Sequence, residues 1–221
     1  SVEQRGELAG AVHRGLAPER FTSFLRFCVI ADVHGGYIPM EMWPHLVQLA
    51  EEWERGESEV ILKARQLGIS WLLAAYALWV AQYRPASLVL LLSQGQDESM
   101  ALLDKCRVIW ERLPRELQGD VSDDNKGRMR FPGGGEIIAL PATEKAGRGY
   151  TASVVIPDEA AYHPYAVKNY GAYVATIEAG GQLLMTSTAN GAAGLFHDLF
   201  WDCWFGEGPY KARFIPWNAR P

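Results

Sequence analysis

Short runs of aliphatic and β-branched residues recur along this chain, separated by longer segments of helical period. The runs at 59–64 (EVILKA), 87–93 (SLVLLLS), 153–157 (SVVIP), 182–187 (QLLMTS) and 211–217 (KARFIPW) have strand length, and several are apolar throughout, as strands buried on both faces are. Between them the pattern predicts helices over Trp43–Trp53, with Pro44 in the first turn, over Ser70–Tyr83, stopped by Pro85, and over Gln96–Leu113, ended by Pro114. Further helices are expected over 169–179 and 194–204. GRMRFPGGGEIIAL reads as a hairpin turning at Gly133–Gly135, after a polar surface loop from Gln118 to Lys126. Residues 1–20 read as a helix without a clear start, and FTSFLRFCVIAD is apolar without a decisive period before Gly35 and Gly36. Strand–helix alternation of this kind predicts an α/β domain with a mostly parallel central sheet flanked by helices and a β-hairpin insertion. There are no internal repeats or low-complexity tracts.

One strand–turn–helix junction carries chemistry. VILKARQLGIS, residues 60–70, runs from an apolar strand through a basic, glycine-containing turn into a helix. In a phosphate-binding loop, backbone N–H groups and the helix N-terminus wrap an anion, a basic side chain reaches the outer phosphates, and a hydroxyl ligates magnesium. Against G-x-x-x-x-G-K-[ST], the chain keeps Gly68 and Ser70 but has Lys63 at the first glycine and Ile69 at the lysine. The cation must then come from the start of the loop, where Lys63 and Arg65 are the candidates; Ala64, Gln66, Leu67 and Ile69 complete the nucleotide-binding segment. The plain alternative is an ordinary turn with two solvated cations.

SVVIPDE, residues 153–159, predicts a buried parallel strand that delivers two carboxylates to the carboxyl edge of the sheet, where ligands of open α/β folds bind. Asp158 is the candidate for the magnesium shell, and Glu159 for orienting or deprotonating the attacking water. Pro157 suits only the last position of such a strand, since it has no N–H to donate. QLLMTSTANG then ends a further strand in Thr186, Ser187 and Thr188, small hydroxyls suited to reporting a γ-phosphate.

KARQLGIS followed by Trp71, VVIPDEAAY and TSTANGAAGLF together resemble the ATPase domain of the large terminase subunit of tailed bacteriophages, the motor that pumps DNA into an empty procapsid. The resemblance covers about residues 37–200. It implies an additional-strand, RecA-like P-loop NTPase fold, with 37–221 as the ATPase core, 1–36 as a helical lead-in, and ATP and Mg2+ as substrate and cofactor. It implies double-stranded DNA, the portal protein or procapsid and the small terminase subunit as partners, with a homo-oligomeric ring on assembly and a monomer in isolation. Thr186, Ser187 and Thr188 take the place of the coupling motif. Arg148, flanked by glycines in AGRGYTA, is the candidate arginine finger toward a neighbouring subunit, against a solvated loop arginine as the alternative. Where related ATPases place W-P-x-Q for adenine, Trp43 and Pro44 match, but Leu46 replaces the glutamine and Gln48 lies two residues on. His45 and His163 read as surface or capping residues, and Gln94 as a contact to DNA or water or a helix cap.

Composition narrows the alternatives. The 221 residues include 21 Lys and Arg against 26 Asp and Glu, a net charge of −5, which disfavours a dedicated nucleic-acid-binding module but suits transient grip by local patches. No apolar run approaches the roughly 20 residues that cross a bilayer, and SVEQRGELAG lacks a signal-peptide core, so the expectation is no membrane and the host-cell cytoplasm. Cys28, Cys106 and Cys203 show no disulfide or zinc spacing, and buried free thiols are expected. Nothing after residue 191 offers the acidic cluster of a nuclease, so an isolated motor domain is expected. The rival readings are a helicase-type translocase and a catalytically silent P-loop scaffold, the latter favoured by Ile69.

Overall fold

A computed structural model describes residues 15–220. The helix expected over 1–20 lies outside the described residues as far as residue 14, and Ala17–Glu19 form a turn that leads into α1 (Phe21–Phe24). The strands are β1 (Val29–Ala31), β2 (Tyr37–Pro39), β3 (Glu59–Lys63), β4 (Leu88–Ser93), β5 (Asp123–Asn125), β6 (Arg128–Arg130), β7 (Glu136–Pro141), β8 (Val154–Pro157), β9 (Gln182–Ser187) and β10 (Lys211–Ile215). The helices that follow α1 are α2 (Pro44–Glu54), α3 (Ile69–Tyr83), α4 (Gln96–Arg112), α5 (Ala166–Ile177) and α6 (Leu195–Trp204).

The main sheet has eight strands in the order β10-β3-β9-β8-β4-β7-β6-β5. Pairing is parallel from β10 to β7 and antiparallel at β7-β6 and β6-β5. The expected hairpin is present, but its second strand is a full member of the sheet: β7 pairs with β4 in register from Leu88↔Glu136 to Ser93↔Pro141. The loop expected over 118–126 contributes the short edge strand β5. The two-stranded sheet of β1 and β2 had no signal in the sequence, because its register holds only three residue pairs.

Period-two alternation splits each apolar run between two cores. Ile61, Val89, Leu91, Ile137, Val154, Ile156 and Leu184 face the layer of α1 to α4, whereas Val60, Leu90, Leu92, Ile138, Val155, Leu183 and Met185 face α5 and α6. A strand sandwiched in this way is apolar throughout. Helix α3 is buried nearly all round, from Ile69 to Ala81, which explains why ISWLLAAYALWVA lacks a polar face. The three cysteines are free and buried. No helix among the described residues is long and apolar enough to cross a membrane.

Candidate active site

Strand β3 ends at Lys63, and the next N–H, of Ala64, still pairs with Ile215 of β10 at 2.9 Å. The chain then turns through Gln66 (φ 60°) and Gly68 (φ 75°), both left-handed, before α3 begins at Ile69. A cradle of about 140 Å3 results, lined by Lys63, Ala64, Gln66 to Ser70 and Trp71. Arg65 is exposed and, among the described residues, makes no ion pair. Ile69 is buried among the residues of the α1 to α4 core. Its side chain is therefore unavailable to a phosphate.

Strand β8 brings the two acids to the same edge. Pro157 ends it opposite Leu92, and the bond to β4 at this register comes from Asp158 N–H to the Leu92 carbonyl at 2.9 Å, while pairing with β9 stops at Val155↔Leu183, short of the proline that has no N–H to give. Asp158 Oδ2 accepts from Ser70 Oγ at 3.1 Å, and Oδ1 accepts from Thr186 Oγ1 at 2.6 Å and from Glu159 N–H at 3.0 Å. Glu159 is left-handed (φ 51°), a conformation rare outside glycine, asparagine and aspartate. Its Oε1 accepts from Lys63 Nζ at 2.7 Å, and its Oε2 from Thr188 N–H at 2.9 Å and Thr188 Oγ1 at 3.0 Å. Ser187 Oγ lies 3.4 Å from the same oxygen. Lys63 Nζ also lies 3.8 Å from Asp158 Oδ1, and the lysine side chain is 7% exposed.

Burial alone would raise the Glu159 carboxyl, but hydrogen bonds from Lys63 and from the Thr188 N–H hold it below the usual glutamate range. The base candidate is therefore ionised at neutral pH. Beneath it, His163 is buried, with Nε2 2.9 Å from the Asp158 carbonyl oxygen, and burial keeps its ring neutral by lowering its pKa. His163 is thus buried rather than on the surface, and it caps the 3-10 turn Ala160–Tyr162, its N–H donating to the Ala160 carbonyl at 3.2 Å. A capping role does not describe His45: its Nε2 lies 2.9 Å from the carbonyl of Leu67 in the loop. Neither contact was legible, because each joins residues whose approach depends on the tertiary fold.

Lys63, Ser70, Asp158, Glu159, Thr186, Ser187 and Thr188 thus converge, and other candidates do not. Gln48 is exposed, and its amide donates to Glu52 at 3.3 Å, one turn further along α2 from the loop. Trp43 stands just ahead of α2, half-buried, 5.8 Å from the His45 ring and with the Arg220 guanidinium 5.7 Å away. Gln94 donates to Glu98 at 3.1 Å, and the residue ahead of α4 is Gly95. Arg148 is exposed on a loop that packs on α5, where Thr176 Oγ1 donates to the Gly147 carbonyl at 2.9 Å; within one chain it touches none of the converging groups. A second hollow of about 320 Å3 adjoins the loop between Arg65, Thr188 and the exposed Trp217, an aromatic the sequence pattern did not single out.

A sheet in which β9 lies between the loop-bearing β3 and the acid-bearing β8, with Lys63, Asp158 and Glu159 meeting at its carboxyl edge, has the architecture of an additional-strand, RecA-like P-loop fold. Its fold is that of the phage large terminase ATPase domain. The ATPase domain of a Thermus phage large terminase aligns with 83% of this chain and 84% of its own length at a TM-score of 0.63 and 23% identity. The large terminase of bacteriophage HK97 aligns with 90% of this chain and 43% of its own at 0.70 and 19%. That of a thermophilic bacteriophage, in complex with ATP-γ-S, aligns with 78% and 44% at 0.58 and 13%. By sequence, the Mu-like prophage protein gp28 of Haemophilus influenzae is 26% identical over 192 residues, 80% of this chain and 37% of the relative, so the chain spans little more than a third of that protein. No protein-family model matches the chain.

Proposed function

We propose that this chain is a Mg2+-dependent ATPase, the motor domain of a phage large terminase that couples ATP hydrolysis to translocation of double-stranded DNA into a procapsid. The observation that carries the reading is the convergence of Lys63, Ser70, Asp158, Glu159 and Thr188 at the edge of a sheet with the large terminase fold. The Ser70 hydroxyl and Asp158 carboxylate, already 3.1 Å apart, form the hard oxygen pair that would hold Mg2+. When bound, the ion would neutralise charge on the outer phosphates.

The remaining steps belong to the chain. Backbone N–H groups of the loop bind the phosphates. Lys63 moves from Glu159 to the γ-phosphate, whose oxygens outbid a single carboxylate in charge. Glu159, left with the Thr188 contacts on Oε2, has Oε1 free to orient the water and accept its proton. Release of phosphate reverses the exchange and changes the pull on Thr188, the coupling step from nucleotide to the loop beyond β9. Arg148 reaches the γ-phosphate of a neighbouring subunit in a ring, where portal protein and small subunit assemble with the motor at the procapsid in the host cytoplasm.

The test is phosphate release from MgATP by the chain with duplex DNA and procapsids. Turnover that rises on their addition supports the motor. Turnover indifferent to both would leave an ATPase without the proposed coupling, and none under any condition would favour the silent scaffold.

A further inference from the structure

We infer that His45 is a positioning residue for phosphate binding: by hydrogen-bonding the Leu67 carbonyl, it aims the Gly68 N–H into the cradle. The inference rests on the phosphate-loop reading of residues 63–70. Nothing in the sequence pattern assigns His45 such a role.

The first turn of α2 forms one wall of the loop. Leu46 packs on Gly68 so closely that a β-carbon there would lie 3.1 Å from Leu46 Cδ1. His45, its neighbour, places Nε2 2.9 Å from the Leu67 oxygen. A carbonyl oxygen only accepts, so Nε2 carries the hydrogen and donates. The other ring nitrogen, Nδ1, is buried and has no partner among the described residues, so this one bond fixes the ring's polar contact.

The consequence follows from peptide geometry. The Leu67 C=O and the Gly68 N–H belong to one peptide unit, planar and trans, and therefore point in opposite directions. Holding the oxygen against His45 turns the N–H away from that ring, and Gly68 itself lines the cradle with Lys63, Gln66 and Ser70. That peptide needs holding, because glycine tolerates either sign of φ and its flip meets little steric resistance. Flipped, it would present a carbonyl oxygen to the phosphates in place of an N–H, exchanging attraction for repulsion.

An N–H bonded to a charged acceptor is worth about 10-fold or more in affinity. His45→Phe keeps the ring and loses the donor, so the Kd for MgADP and the KM for ATP are expected to rise about 10-fold, with kcat changed less than about 2-fold and the nucleotide-free melting temperature little altered. His45→Gln, which restores an N–H donor, is expected to recover most of the affinity; a role in packing alone would not be rescued by that flexible amide. Lys63→Ala is measured alongside. Normal affinity in His45→Phe with affinity lost in Lys63→Ala overturns the inference and leaves the loop reading intact, whereas normal affinity in Lys63→Ala removes the reading itself. An independent measurement needs no variant: in the 15N-labelled parent, the Gly68 amide resonance is expected to move on adding MgADP, and an unmoved resonance at saturation also overturns the inference.

Discussion

Ile69 and Lys63 show how single positions divide the work of the proposed phosphate loop. The residue directly ahead of Ser70 points into the core, and the cation arrives from the end of β3, nearly buried against two carboxylates. Ile69→Ala is expected to lower unfolding free energy by about 2–5 kcal/mol, the range for deleting a buried aliphatic side chain. Turnover per folded molecule should stay near the parent's. Denaturant titration and active-fraction kinetics check the two halves separately, and a loss of turnover at unchanged stability would mean that Ile69 has a chemical role. The sequence left Lys63 and Arg65 as equal candidates because both lie in the same turn. Only the direction in which β3 delivers its last residue separates a buried lysine on Glu159 from an exposed arginine.

Elements at the far edge of the sheet carry their own titration. Glu59 opens β3 with no exposed surface; burial pushes its carboxyl up to about 7, and its neighbour Glu52 adds to the shift. Glu52 also pays a burial penalty, yet hydrogen bonds from Glu59 and Lys211 bring it to about 2. Trp53 Nε1 donates to Glu59 at 2.9 Å, and Arg213 bridges the two acids. A carboxyl whose folded pKa exceeds its unfolded value favours folding while protonated, so Glu59 supplies stability below about pH 4.5 that is lost as pH rises through about 7. Glu52 has the opposite sign, its contribution present above about 4.5 and lost only toward pH 2. Glu59→Gln is therefore expected to raise the melting temperature relative to the parent at pH 8 and to gain nothing at pH 5. An equal change at both values would contradict the assignment. The hairpin turn makes a steric prediction: a β-carbon at Gly135 would lie 1.8 Å from the Ala81 carbonyl oxygen at the end of α3. Gly135→Ala should cost about 3 kcal/mol or more by urea unfolding, and a change under about 1 kcal/mol would mean that the turn is not packed on α3.

These elements also mark the limits of the sequence. Central strands were legible because the sandwich demands continuous apolar runs, and β9 matches its expected span, Gln182–Ser187. Helix α5 begins at Ala166, three residues before its expected start, because Ala166–Lys168 carry no capping signal. The acids and hydroxyls of the site were legible as strand ends. His45 and His163 were not, since their partners are backbone carbonyls set by packing.

At the scale of the whole molecule, the account needs a second copy. Arg148 is exposed and, among the described residues, makes no contact with the Lys63–Glu159 pair, so as the proposed finger it would act across an interface. Arg148→Ala and Glu159→Gln chains, each inactive when assembled alone, should regain turnover when mixed, because some interfaces then hold an intact base and an intact arginine. Silence at every mixing ratio, under conditions where the parent assembles, would remove Arg148 from the mechanism. The claim beneath all of this is that Lys63 and Glu159 form a hydrolytic centre. Its most direct test is steady-state phosphate release from MgATP by the parent, Lys63→Ala and Glu159→Gln, with ATP binding measured on each. The account predicts at least about 10²-fold loss of turnover in both variants, with ATP affinity weakened by Lys63→Ala and kept by Glu159→Gln. Parental turnover in either variant would contradict it.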